Sequence, residues 1–341
     1  MALQASGTIK YSEIIAEFGT PSSGGIGEYR LSENVGTLTN LPLDTGVPQS
    51  GEIKFSDFYS KKLNQVVDLY SIGNSTSRQN AKDRWNNGNV HIVGSTKTGK
   101  SQPPDTVDDR VIINVNATIR SVKGTQTHCA LRTGNWDSGT VLEIEIGTSG
   151  KLYGSGGDGG TGGNANETAG TVGQTGSSAL GIEYPCTINN LGVIQSGYGG
   201  GGGGGGNTRT TGGGKKGGAT TNGSSGGGGG GGAGLPAGSA GGVSTPLAVG
   251  GGSAGSAGGA GSLSGQASGG AGGSEAGAGG DSSPVNNSAT KADNGATASG
   301  AASPGTGGNN GYAIITNQGS APSLTGGGSL TGRTITSTNP T

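Results

Sequence analysis

The sequence is poor in the residues that build an ordinary core. Hydrophobic residues make up 28% of the 341 and aromatics 4%, and no phenylalanine or tryptophan lies beyond Trp136. An apolar core of the usual kind therefore cannot hold the C-terminal half together. Cys129 and Cys186 are too few and too far apart for a disulfide framework or a zinc site, which leaves them as isolated structural thiols. A formal net charge of −1 gives no electrostatic case for nucleic acid or an anionic membrane. No apolar run approaches the ~20 residues needed to span a bilayer, and residues 1–7 lack the basic and apolar regions of a secretory signal. The expectation is a soluble protein made in a cytoplasm, with no membrane insertion.

What the sequence has in excess is glycine, 81 residues, most of them between 147 and 311. The tract is densest at 199–206 and 226–232, with further glycine-dominated segments at 154–163, 250–261, 269–280 and 305–311. No strict G-X-Y register runs through it, which excludes a collagen triple helix. Interior glycines, each costing ~1 kcal/mol relative to alanine, exclude an α-helix. Two states remain. One is a disordered low-complexity tail. The other is a set of packed polyglycine-II helices, which have no internal hydrogen bonds and must pair their amides with neighbours that lack a Cβ. Runs of comparable length, polar inserts at 207–216 and 281–303, and apolar strand-like segments at 179–184, 186–195 and 312–316 favour rods joined by end loops.

The first sixty or so residues contain an internal repeat. Ser6-Gly-Thr-Ile-Lys-Tyr-Ser-Glu-Ile-Ile matches Ser50-Gly-Glu-Ile-Lys-Phe-Ser-Asp-Phe-Tyr. Each copy predicts a short strand (8–11 and 52–55), an N-cap at Ser12 or Ser56, an acidic first helical residue and a short apolar turn. Residues 21–49 between them are turn-rich, with short elements near 29–33 and 35–39. Two such units can bury apolar faces that one cannot, so 1–64 is expected to be a compact α+β module. Its core would comprise Ile9, Tyr11, Ile14, Ile53, Phe55 and Phe58.

Residues 65–153 predict a β-sandwich-like domain, with strands at 65–72, 89–93, 107–122, 128–133 and 140–146. Trp85 and Trp136 are expected to anchor its packing. Gly94-Ser-Thr-Lys-Thr-Gly-Lys100-Ser101 matches the phosphate-binding pattern G-x-x-x-x-G-K-S, but Pro103 and Pro104 follow at once and forbid the helix that pattern requires. A solvated β-turn loop is expected there. His91 and His128 are the only histidines, and no nucleophile motif surrounds either. The pairs Asp108–Asp109 and Glu143/Glu145 are weak candidates for a hydrolytic carboxylate pair. No catalytic residue, cofactor or metal is expected.

The duplicated SG-I-(Y/F)-S-(E/D) pattern resembles a short N-terminal module of bacteriophage tail and fibre proteins, which implies attachment to other tail, baseplate or fibre proteins through 1–64. Ile188-Asn-Asn-Leu-Gly-Val-Ile194, followed directly by a long glycine run, resembles the polyglycine-sandwich adhesins at the long tail-fibre tips of T-even-like phages. That resemblance covers about 152–316. It implies a rigid glycine scaffold, assembled in the host cytoplasm, whose loops touch a bacterial surface receptor, either a glycan or an outer-membrane protein. The polar inserts lack aromatics, which tilts the receptor towards a polar glycan.

The resulting expectation is a mostly β and irregular protein. It has an α+β repeat module (1–64), a β-sandwich-like domain (65–153), a polyglycine-II lattice (154–318) and a C-terminal tail (319–341). Candidate receptor contacts are Asn207, Thr208, Arg209, Thr210, Lys215 and Lys216 in one insert, and Asp281, Asn286, Asn287, Lys291, Asp293 and Asn294 in the other. A homotrimer and a monomer both remain open. The competing readings are a structural tail, baseplate or decoration protein and, last, an envelope-degrading enzyme.

Overall fold

The computed structural model describes residues 3–69, 73, 76–99, 110–163, 169–203, 207–211, 220–224, 228–229, 231–242, 305–317, 319–336 and 338–341. The N-terminal module has its own core, in which Phe18, Tyr29 and Phe58 are fully buried with ring centroids 5.6–5.9 Å apart. The two repeats share one helix-start geometry. In helix α1 (Tyr11–Phe18) the Lys10 amide donates to Glu13 at 2.7 Å, and in the 3-10 helix Phe55–Phe58 the Lys54 amide donates to Asp57 at 2.7 Å. The caps are thus Lys10 and Lys54 rather than Ser12 and Ser56, and the acidic residues lie at the third helical position, where a carboxylate can reach back to the cap amide. Residues 8–10 and 52–54 are extended but pair with no strand, so the two expected strands are absent. Phe55, expected in the core, is 44% exposed and meets its counterpart Tyr11 edge-on at 6.2 Å. Between the repeats come a 3-10 helix (Ile26–Arg30) and the hairpin β1 (Ser32–Val35) and β2 (Leu38–Pro42). Val35, Leu38 and Leu41 of this hairpin pack on Val66, Val93 and Ile112.

From Asn64 the chain winds as a solenoid rather than a two-sheet sandwich. The first circuit has β3 (Asn64–Asp68), β4 (Thr76–Ser77) and β5 (Gln79–Asn80), followed by α2 (Ala81–Asn86), β6 (Val90–Ile92) and α3 (Ser95–Thr98). The second has β7 (Arg110–Val115), β8 (Thr118–Arg120) and β9 (Cys129–Arg132), and the third has β10 (Val141–Ile146), β11 (Lys151–Tyr153) and β12 (Ser178–Ile182). The fourth has β13 (Cys186–Asn190) and β14 (Val193–Gln195), then, after the hairpin β15 (Asn207–Thr211) and β16 (Thr220–Ser224), β17 (Tyr312–Thr316). The fifth has β18 (Ser323–Thr325), β19 (Ser329–Thr331) and β20 (Arg333–Ile335). Each circuit adds one strand in parallel register to each of three sheets, and the first circuit also adds β6, antiparallel to β3 at the sheet edge. Like residues stack: Val67, Ile113, Ile144 and Ile188 occupy one inward row, and Leu131, Leu180 and Ile314 another. Most of these side chains are wholly buried, each contributing ~1.5–3 kcal/mol of burial. Trp136 is buried and meets half-buried Trp85 edge-on at 6.1 Å, as expected of anchors.

The expected strands 107–122 and 186–195 each break at a corner, between β7 and β8 and between β13 and β14, because inward alternation continues as the chain turns onto the next sheet. All three sheets cross the expected boundary at 153/154. Residues 319–341 are a fifth circuit, not a tail, and Thr341 returns to bond Thr127 and Cys129 at 2.8 and 3.1 Å. At the phosphate-loop look-alike, Ser95–Thr98 forms one helical turn between Gly94 and Gly99, both left-handed, instead of an open loop; Lys100 and Ser101 lie outside the described residues.

The glycine tract leaves the solenoid between the second and third sheets of two circuits. It contains six described rods: 154–163, 169–177, 197–203, 228–235 (apart from 230), 236–242 and 305–311, numbered 1–6 here. Rod 1 bonds in three directions with a three-residue period. Gly157 and Gly160 donate to Tyr198 and Gly201 of rod 3, and Gly156, Gly159 and Gly162 to Pro236, Ser239 and Gly242 of rod 5. Ser155 and Thr161 donate to the hydroxyls of Ser177 and Thr171 in rod 2. Rod 3 donates from Gly197, Gly200 and Gly203 to rod 2, and rod 6 from Gly305, Gly308 and Gly311 back to rod 3. A Cβ on Gly200 would lie 2.2 Å from the Asp158 carbonyl oxygen, and one on Gly229 would lie 2.0 Å from that of Gly201. Rod 1 accordingly carries side chains only at Ser155, Asp158 and Thr161, every third position.

Candidate functional site

Rods 1, 3 and 5 run away from the solenoid and rods 2, 4 and 6 run back, as the antiparallel pairing of 2 with 1, 4 with 1 and 6 with 3 requires. Rod 1 follows β11 and rod 3 follows β14, whereas rods 2 and 6 lead into β12 and β17. The near end is therefore closed by solenoid strands and by the turn joining rods 4 and 5. The described rod ends at 163 and 169, 203 and 228, and 242 and 305 all lie at the opposite, far end. Both polar inserts singled out in the sequence fall between such ends along the chain.

Asn207, Thr208, Arg209 and Thr210 lie on β15, paired antiparallel with β16 in the register Asn207↔Ser224 and Thr210↔Thr221. A hairpin thus occupies part of the expected loop. Lys215 and Lys216 lie outside the described residues, as do Asp281, Asn286, Asn287, Lys291, Asp293 and Asn294, together with the expected glycine segments 250–261 and 269–280. The described rod residues that flank the two inserts, at 203, 228, 242 and 305, lie at one end of the lattice.

The near end is braced from the second circuit, a feature the sequence reading missed. Between β8 and β9, Lys123 donates to Asp158 of rod 1 at 2.5 Å, and Asp158 also accepts from the Ser239 amide of rod 5 at 2.6 Å. Thr175 of rod 2 donates to the Gly124 carbonyl at 3.2 Å, and Gln126 donates to the Asn310 carbonyl of rod 6 at 2.5 Å. Burial pushes the Asp158 carboxyl up, but Lys123 and Ser239 outweigh it and hold the group below its ordinary 3.8. The available signal was Asp158 itself, the one charged residue in the described rods. Burial pushes the Cys129 and Cys186 thiols up to about 12, keeping both protonated at neutral pH.

The residues considered for catalysis are engaged elsewhere. Glu143 receives a bidentate pair from Arg110 at 2.7 and 2.8 Å, and Glu145 accepts from Asn189 at 2.7 Å on the same outer sheet face. His91 faces Glu33 at 2.9 Å. Asp108 and Asp109 lie outside the described residues. Among the described residues no group of three or more His, Cys, Asp or Glu could hold a metal ion, and no helix is long and apolar enough to cross a membrane.

A family profile for phage tail fibre adhesin Gp38 matches residues 81–335, about three quarters of the chain. The chain belongs to the phage tail fibre adhesin Gp38 family. It is thus a tail-fibre adhesin of a bacteriophage virion. The matched region contains the β-solenoid from α2 onward and the whole glycine lattice. Among solved structures, the gp37-gp38 adhesin tip complex of the bacteriophage S16 long tail fibre matches with 18% identity, covering 98% of this chain and 99% of that one, at a TM-score of 0.31. Comparison with curated proteins gave no match.

Proposed function

We propose that this Gp38-family adhesin binds its host receptor, a surface glycan or an outer-membrane protein, through the segments displayed at the far end of the glycine lattice. The observation that carries the reading is that the described rod ends at 163 and 169, 203 and 228, and 242 and 305 all lie on one side, opposite the solenoid. We further infer that the rods are polyglycine-II helices: a three-residue hydrogen-bond period, three bonding directions and non-positive φ throughout the described rod glycines support this. Function then divides between a rigid scaffold and polar loops, without cofactor or catalysis. The molecule would comprise an attachment module, residues 1–64, that joins it to other tail, baseplate or fibre proteins, and a solenoid with the lattice as an insertion.

The experiment is competition for adsorption. Excess full-length protein should block phage adsorption, and protein in which 207–216 is exchanged for an unrelated polar segment should lose at least tenfold in blocking potency. A matching exchange within 281–294 tests the second insert. Full blocking by both exchanged proteins would return the molecule to a purely structural role in the tail.

A further inference from the structure

The first circuit carries a polar concavity that neither the lattice nor the core uses. It encloses about 480 Å³ and is lined by Arg78 and by residues of β5, α2, the turn after α2, and β9. That volume falls within the range of small-ligand sites, but the lining is polar where such sites are mostly apolar. Three arginines line it, Arg78, Arg84 and Arg132. Arg132 is spent on Glu183, through Nε at 3.2 Å and through Nη2. The other two keep donors in reserve. Arg84 Nε is buried without a hydrogen-bond partner, and its Nη2 reaches only the Asp68 carbonyl at 3.4 Å. A buried charged donor is normally hydrogen-bonded, so an unmet one on a residue that lines a cavity points to a missing acceptor.

The neighbouring amides leave the complementary set. Gln79 spends its NH2 on the Ser77 and Arg78 carbonyls at 2.9 and 3.1 Å, and Asn87 spends its own on the Asp83 carbonyl at 2.8 Å. Their oxygens remain as acceptors beside the exposed Asp83 carboxylate. Asn80 does the reverse, its oxygen taken by the Lys82 and Asp83 amides at 3.0 and 3.3 Å and its NH2 left over. A bare phosphate would satisfy the guanidiniums but set its own oxygens against these acceptors. A neutral sugar would satisfy the acceptors and leave the guanidiniums unmet. A sugar that also carries an anionic group meets both.

We propose that this pocket binds an anionic saccharide of the bacterial surface, a sugar bearing a carboxylate or a phosphate, with Arg78 and Arg84 holding the anion and Asp83, Gln79 and Asn87 accepting from hydroxyls. The site is separate from the far-end segments and stands or falls independently of them.

The test uses full-length protein labelled with 15N-arginine, titrated with glucuronic acid, glucose 6-phosphate, glucose and inorganic phosphate while the Arg84 Nε–Hε resonance is followed. Either anionic sugar should shift it saturably below about 10 mM, with glucose and inorganic phosphate at least tenfold weaker. Arg78→Gln and Arg84→Gln should each weaken the anionic sugars at least tenfold, and Asp83→Asn should weaken the sugars but not phosphate. If Arg84→Gln fails to fold, Arg78→Gln carries the test, since no described residue hydrogen-bonds that side chain. Inorganic phosphate binding as tightly as the sugar phosphate, or no saturable shift with either anionic sugar, overturns the proposal. Exchange of 207–216 should leave the titration unchanged, which separates this site from the far-end reading.

Discussion

The solenoid and the lattice share one chain path and are held by opposite means. In the solenoid, neighbouring circuits meet through side chains, as in the row Val67, Ile113, Ile144 and Ile188. In the lattice the same circuits continue beyond Tyr153 and Gln195 with almost no side chains between them, and backbone amides carry the contact. Glycine loses the most freedom on ordering, so such rods form only when many bonds close together. The junction supplies the start: Gly154 donates to Gln195, Gly197 to Ser177 and Gly311 to Gly197, all at 2.8 Å, directly beside the paired strands. The lattice inherits its register from a conventional core. A chain of glycine alone would have no such template.

The comparison can be broken most severely at rod 3. Gly200→Val places a Cβ against the Asp158 carbonyl, backbone that cannot move without parting rods 1 and 3. Destabilisation should exceed ~3 kcal/mol and be confined to the lattice. Hydrogen exchange should then become fast through 197–203 while the amides of β7 and β10 stay protected. Val172→Ala, on a side chain 60% exposed in rod 2, should leave both regions unchanged. Equal tolerance of the two substitutions would mean that close backbone contact does not hold the rods.

The converse substitution is Ile144→Ala, in a fully buried stack of the solenoid. A loss of ~3 kcal/mol in denaturant unfolding is expected, with both regions losing protection because the template goes with the core. A lattice that stayed protected would show that it orders without the solenoid.

Smallest is the brace. Lys123→Ala should cost less than ~1 kcal/mol, since both partners are about a third exposed. Asp158 has a folded pKa below its unfolded one, so the unfolded chain binds the proton more readily as pH falls. The brace therefore contributes fully above the ordinary 3.8 and is lost as pH drops through the lower folded value. Unfolding profiles of wild type and Lys123→Ala should converge below about pH 3.8. A constant gap at all pH values would assign the effect to something other than this ion pair.

How much of this was legible in the sequence depends on which signal each region uses. The strand at 312–316 appears where the apolar segment places it, and the rods at 154–163 and 305–311 coincide with glycine segments. The solenoid was hidden because its circuits differ in length, from short corners to the whole glycine insertion, so no fixed period survives. Alternation also runs unbroken round a corner, which merged β7 with β8 and β13 with β14. The absence of a tract-wide G-X-Y register concealed a local one: glycine recurs at 173 and 176, at 238 and 241, and at 305, 308 and 311, wherever a neighbouring backbone leaves no room for a Cβ. At Ser155, Asp158 and Thr161 side chains return, with the first and last hydroxyls meeting those of Ser177 and Thr171 in rod 2 and the carboxylate meeting Lys123 and Ser239. Of the candidate contacts, Asn207 to Thr210 were placed in a loop because Thr-rich polar runs carry no apolar alternation, and that segment forms a hairpin strand. The pocket beside α2 left no linear signal, since β5 and β9 meet only when the second circuit closes on the first.

The direction of the rods has a mechanical meaning. If the far end holds the receptor, as proposed, a pull from the other end would load the rods lengthwise, with their hydrogen bonds lying across the pull. Many bonds would then have to give way at once, instead of one after another as in a zipper opened from its end. Four of the six rods enter strands of the solenoid directly, so tension is passed on through parallel lines into the second and third of its sheets. A lattice nearly free of side chains is in this sense a short cable, suited to a particle that must stay attached while the cell and the medium move.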